Sequence, residues 1–128
     1  MANDLFLPDG RPTIVCVYRD APLRMMIDTG STATILRKEV FSFLKDFLPV
    51  VRIGRLGGIG SVTEAPVVRM DGLRVGSLII SGLEAYVVDV GAIGEGGAGS
   101  VSGVFGMSLL RHMPPLHVDF NAKTVRFG

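Results

Sequence analysis

The chain has 128 residues, 48% of them hydrophobic, with thirteen basic residues against twelve acidic ones and a net charge of +1. That length favours a single domain, the apolar content excludes a mostly disordered chain, and the balanced charge gives no electrostatic case for nucleic acid or an anionic membrane as partner. Cys16 is the only cysteine, so no intrachain disulfide is available.

Seventeen glycines and seven prolines separate short runs rich in Val, Ile and Leu, which reads as a mostly β domain. Residues 1–10 show no basic stretch followed by an apolar one, so no signal peptide is read there. Residues 12–18 and 23–27 read as a strand pair around an Arg19-Asp20-Ala21-Pro22 turn. Residues 34–36 form a short extended piece. Val40, Phe41, Leu44, Phe47 and Leu48 recur at helical spacing, so a helix is expected over 37–48, ended by Pro49.

Residues 50–56 and 62–70 are expected as a long hairpin with a glycine-rich tip, Gly57-Gly58-Ile59-Gly60-Ser61. Asp71-Gly72 is a turn, and residues 73–75, 78–81 and 83–89 are further strands. The most apolar stretch, 78–90, is broken by Ser81, Gly82, Glu84 and Asp89 and is too short to span a bilayer. The expectation is a soluble chain, cytoplasmic, or periplasmic if excised from a longer anchored parent. Residues 91–103 have the composition of a mobile surface loop. Val104-Phe105-Gly106 reads as a short buried strand, 107–113 as a short helix stopped by Pro114-Pro115, and 116–120 with 124–127 as a closing hairpin.

The chemistry concentrates at Met25-Met26-Ile27-Asp28-Thr29-Gly30-Ser31. A carboxylate directly after an apolar strand is costly unless something pairs with it. Gly30 lets backbone N–H groups approach that carboxylate. Thr29 can donate its hydroxyl to a backbone group, and Ser31 can hydrogen-bond a carboxylate oxygen.

On these residues the chain resembles the retropepsin-type (retroviral-like) aspartic proteases, over about residues 12–127. Asp28-Thr29-Gly30-Ser31 matches that family's catalytic Asp-Thr/Ser-Gly-Ala/Ser, with serine where viral members commonly carry alanine. Gly57-Gly58-Ile59-Gly60 falls where the family carries its flap, and Val104-Phe105-Gly106 before Leu109-Leu110 resembles its second signature. The resemblance implies a closed β-barrel-like acid-protease fold, a homodimer, an extended peptide or protein as substrate, and hydrolysis with neither metal nor organic cofactor.

Aspartic-protease chemistry needs two carboxylates close enough to share one proton. No second Asp-Thr/Ser-Gly exists here: Asp71-Gly72 lacks the hydroxyl, Asp89 precedes Val90-Gly91, and Asp119 sits in an expected strand. A two-fold axis beside Asp28 would supply its twin from another chain. The expected roles are then catalytic for Asp28, Thr29 and Gly30, with Ser31 in support. Residues Gly57 to Ser61 would close over substrate, and Ile27, Ile59, Val104, Phe105 and Gly106 would line an apolar cleft. A shared proton predicts a bell-shaped pH dependence of the rate.

Asp28 in a structural turn, in a dimeric peptide-binding or assembly module without catalysis, is the alternative function. The glycine cluster lacks the Lys-Ser/Thr and the following helix of a phosphate loop. His112 and His117 lack helical spacing and a third ligand, so no zinc site is read. Cys16 reads as a packed thiol, since no histidine neighbours it in sequence.

Overall fold

The computed structural model describes residues 6–7, 10–58, 61–89 and 101–128. Strands β1 (Thr13–Tyr18) and β2 (Ala21–Ile27) form an antiparallel hairpin in which Tyr18 faces Ala21. Arg19 and Asp20 alone make the turn, with φ of 51° and 67°. Two positive φ values give the primed turn whose twist matches that of paired strands. The turn is therefore two residues shorter at its end than expected, and Pro22 belongs to β2.

Strand β3 (Ile35–Arg37) leads into helix α1 (Lys38–Leu44) and a 3-10 turn, Lys45–Phe47. The helical periodicity runs to Leu48, but regular α geometry ends at Leu44. A residue before proline is pushed out of the α region, and Leu48, before Pro49, sits at φ −125° and ψ 80°. Leu44 and Leu48 are buried while Phe43 is 80% exposed, so the aromatic set does not all pack inward.

Strands β4 (Val50–Gly58) and β5 (Ser61–Met70) form the long hairpin, in register from Arg52↔Val67 to Gly58↔Ser61. Ile59 and Gly60, at the expected flap tip, lie outside the described residues, as do residues 91–100 of the expected loop. Short strands β6 (Leu73–Val75), β7 (Leu78–Ile80) and β8 (Leu83–Val88) follow. Strand β9 (Gly103–Phe105) precedes helix α2 (Met107–Leu110), and β10 (Leu116–Asp119) pairs with β11 (Thr124–Phe127).

The main sheet has nine strands in the order β4-β5-β8-β3-β9-β2-β1-β6-β7. Its centre mixes directions: β2 runs parallel to β9, β9 antiparallel to β3, and β3 parallel to β8. The mostly β expectation holds. Among the described residues the strand order ends at β4 and β7, so the expected closure into a barrel is not completed by hydrogen bonds. One core cluster includes Phe105, Leu36, Met25 and Val68, together with Leu109 of α2. Among the described residues no helix is long and apolar enough to cross a membrane.

Cys16 is 1% exposed, and burial pushes its thiol up to about 12 from 9.0. The thiolate is the nucleophile, so native Cys16 is expected to resist iodoacetamide at pH 8 and to react fully in denaturant. The same shift links to stability. Below about pH 9 both states keep the proton and the contribution is intact. Between about 9 and 12 the unfolded thiol ionises first, so stability falls as pH rises through that window. Rapid labelling of the native protein would contradict the packing.

Candidate active site

Asp28 stands at the end of β2, where its backbone N–H donates to the Phe105 carbonyl of β9 at 3.1 Å. The parallel pairing Ile27↔Phe105 sets this position. The chain then turns: the Ser31 N–H donates to the Asp28 carbonyl at 3.2 Å, and the Gly30 N–H donates to Asp28 Oδ1 at 2.9 Å. Asp28 is half-buried. Among the described residues the Gly30 N–H is the one hydrogen-bond donor to its carboxylate, which leaves Oδ2 open to the adjoining space.

The turn is tied to α2. Met107 and Ser108 donate their N–H groups to the carbonyls of Ser31 and Thr32, at 2.8 and 2.9 Å. Thr34, only 1% exposed, accepts from the Gly106 N–H at 3.3 Å and shares a 3.2 Å hydrogen bond with Ser108 Oγ. A buried hydroxyl with both partners met rigidifies its surroundings. Gly106 is required by this stitching. A Cβ there would stand 2.1 Å from the Ala33 carbonyl oxygen and 2.7 Å from that of Ser31.

Asp28 opens onto a cavity of about 630 Å³. Its floor includes Gly30, Ser31, Thr32, Ala33, Ile35 and Ser108, with Tyr86 and Glu84 from β8. The β4 arm of the hairpin contributes Arg52, Arg55, Leu56 and Gly57. Gly54 lets that arm close on the floor, since a Cβ there would lie 2.6 Å from the Tyr86 ring. Arg52 reaches across to Glu84 at 2.9 Å, with its guanidinium 5.7 Å from the centre of the Tyr86 ring. Hydrogen bonds to Glu84 and then Tyr86 hold the Arg52 guanidinium above its ordinary range.

Several expected positions fall elsewhere. Ile27, Val104, Phe105 and Gly106 are buried and do not line the cavity: Ile27 and Phe105 pack in one core cluster, Val104 in a second, and Gly106 lies against the Ala33 and Ser31 backbone. They position Asp28. Ser31 Oγ donates to the Ala33 carbonyl at 2.8 Å, not to the Asp28 carboxylate. Thr29 is exposed, with no hydroxyl partner among the described residues. Gly57, Gly58 and Ser61 end the two arms of the hairpin, and Gly57 reaches the cavity. Reading the sequence missed Thr34, Tyr86, Glu84 and the β4 arginines. The one local hint was Gly54, a glycine inside an otherwise extended run.

Glu84, Asp71, Asp119 and Asp89 each have a partner. Glu84 lines the cavity but is bound to Arg52. The Gly82 N–H and Arg69 hold Asp71, lowering its affinity for a proton, with the Gly82 bond the larger cause. Asp119 caps the Asn121 and Ala122 N–H groups, and Asp89 lies 3.9 Å from Lys38.

Asp28 thus stands at a strand end, in a glycine turn that lines a cavity beside a hairpin arm. The chain belongs to the aspartyl protease family, which matches residues 14–109, and so ranks among aspartic-type endopeptidases. In structure it is similar to a retropepsin-like aspartic protease from Rickettsia conorii, with TM-score 0.62 and 19% identity over 90% of this chain and 81% of that one. It is also similar to EIAV protease complexed with an inhibitor, with TM-score 0.61 and 20% identity over 81% of this chain and 88% of that one. The retroviral protease-like domain of Ddi1 from Leishmania major gives TM-score 0.61 and 15% identity, over 91% and 87% of the two chains. No curated protein matches the chain by sequence.

Proposed function

We propose that the chain is a single-domain subunit of a homodimeric endopeptidase, whose catalytic pair is Asp28 from each of two copies. The observation that carries this reading is the open Asp28 oxygen facing a cavity in which the other carboxylate, Glu84, is bound to Arg52. A two-fold axis beside Asp28 gives the missing acid without any new residue type.

In this reading the two carboxylates hold one proton between them. The ionised member takes a proton from water, and the oxygen of that water attacks the peptide carbonyl carbon. The carbonyl π electrons move onto oxygen, where the protonated member donates a hydrogen bond to the developing charge. Collapse of the tetrahedral intermediate breaks the C–N bond, and the nitrogen leaves with a proton. Gly30 holds the carboxylate's orientation through its N–H, and Thr29 and Ser31 belong to the same turn. Residues Gly57 to Ser61 cover an extended peptide lying between the hairpin and the floor, where alternate side chains point to opposite walls.

The test is the concentration dependence of the rate, read beside the mass in solution. Activity per chain is expected to fall on dilution in step with the dimer fraction measured by sedimentation. Full activity per chain in a preparation that is monomeric throughout would overturn the shared-site reading.

A further inference from the structure

The cavity carries an ion pair in its wall. Along β4, Arg52, Gly54 and Leu56 share one face, while alternation turns the Arg55 side chain to the other face with its ladder partner Glu64. Arg52 stands in line with Val67 of β5 and Tyr86 of β8, and Glu84 shares that face of β8. The ladder partner of Glu84 is Arg69, but Arg69 is held by Asp71 at 3.1 Å. That leaves Glu84 to Arg52, through one hydrogen bond of 2.9 Å from Nη2 to Oε1. Both side chains line the cavity that holds Asp28, and each is 47% exposed. Neither is saturated. Among the described residues Glu84 Oε2 accepts no hydrogen bond, and the guanidinium has more N–H donors than Glu84 and Tyr86 take up. The pair therefore offers a spare acceptor and spare donors side by side, with no net charge.

We propose that Arg52 and Glu84 together form a specificity subsite for a carboxamide side chain, glutamine or asparagine, close to the cleaved bond. This rests on the protease reading above and sets a polar wall in the apolar cleft expected from sequence. A carboxamide holds a carbonyl acceptor and an N–H donor on one carbon, so its oxygen accepts from Arg52 while its nitrogen donates to Glu84 Oε2. A carboxylate gains Arg52 but meets the Glu84 charge. An ammonium gains Glu84 but meets Arg52. An apolar side chain of equal length takes water from both groups and returns no hydrogen bond. Leu56 and Tyr86, in the same wall, offer apolar surface to the hydrocarbon stem.

The experiment digests a proteome-derived peptide library with the wild-type protein and the R52Q, E84Q and R52E/E84R variants. The best-cleaved sequence is then remade with Gln, Glu, Met or Lys at each flanking position, and kcat/KM ratios are measured. Wild type is expected to prefer Gln over Glu, Met and Lys by about 3- to 10-fold at one position, the range for hydrogen bonds at a half-exposed site. E84Q leaves Arg52 unneutralised and turns the preference toward Glu, and R52Q turns it toward Lys. The charge-swapped double variant restores the preference for Gln, because a carboxamide turned half a revolution meets the reversed pair equally well. Equal rates for Gln and Met at every position overturn the subsite and leave the protease reading standing. So do single variants that lower the rate for all peptides alike with their ratios unchanged, the result of a purely structural ion pair. Cleavage of no peptide by the wild type overturns both.

Discussion

Asp28→Asn is expected to abolish peptide cleavage, by on the order of 10³-fold or more, while the thermal midpoint stays within a few degrees of wild type. The substitution keeps the shape and the Oδ1 acceptor, so the 2.9 Å hydrogen bond from the Gly30 N–H survives. In the proposed symmetric dimer it removes the ability to carry the shared proton on both sides at once. The structural cost is small because the side chain is only half-buried. Cleavage of a peptide substrate and circular dichroism melting, run on the same preparation, separate chemistry from folding. A folded variant that still cleaves would place the reaction on other residues. A wild type that cleaves no peptide under any condition would favour the binding-module alternative.

Gly106→Ala is expected to be strongly destabilising. The added carbon would meet the Ala33 carbonyl oxygen at 2.1 Å, its carbon at 2.7 Å and the Ser31 carbonyl oxygen at 2.7 Å. All three atoms are backbone, so no side-chain rotation relieves the overlap. The Asp28 turn must move away from α2, breaking the Met107 and Ser108 hydrogen bonds to Ser31 and Thr32. Overpacking with loss of a buried network costs about 3–5 kcal/mol, a large share of the roughly 5–15 kcal/mol that holds an ordinary domain together. A urea midpoint shifted far down, or an insoluble product, is the expected outcome. Gly57→Ala is the internal control, because a Cβ there meets nothing within 4 Å. Equal midpoints for Gly106→Ala and wild type would mean that β9 and the Asp28 turn do not approach as closely as described.

Much of the local structure was legible in the chain. The hairpin strands announced themselves by β-rich runs between turn residues, and each expected strand from 50 to 89 is present. The helix was found but overextended, since apolar spacing does not distinguish an α turn from the 3-10 turn that Pro49 imposes. The Asp28 segment stood out because strand burial and a carboxylate conflict. The cleft walls did not stand out. Arg52, Arg55, Glu84 and Tyr86 look like ordinary polar alternation on half-exposed strands. The sheet order β4-β5-β8-β3-β9-β2 sets these strands on the way to Asp28.

The residues by themselves determined a mostly β chain with a carboxylate held at a strand end by a glycine turn, because period, turn chemistry and the cost of burying charge are local quantities. With the family resemblance they also raised the expectation of a second copy, since no other acid shares the motif. The tertiary structure alone decided which side chains face the cavity and which are buried away from it. Ile27 and Val104 are apolar in either role, and each is buried in its own core cluster. Strand order and direction follow from contacts between segments far apart in sequence, whose summed packing is not written in any one of them.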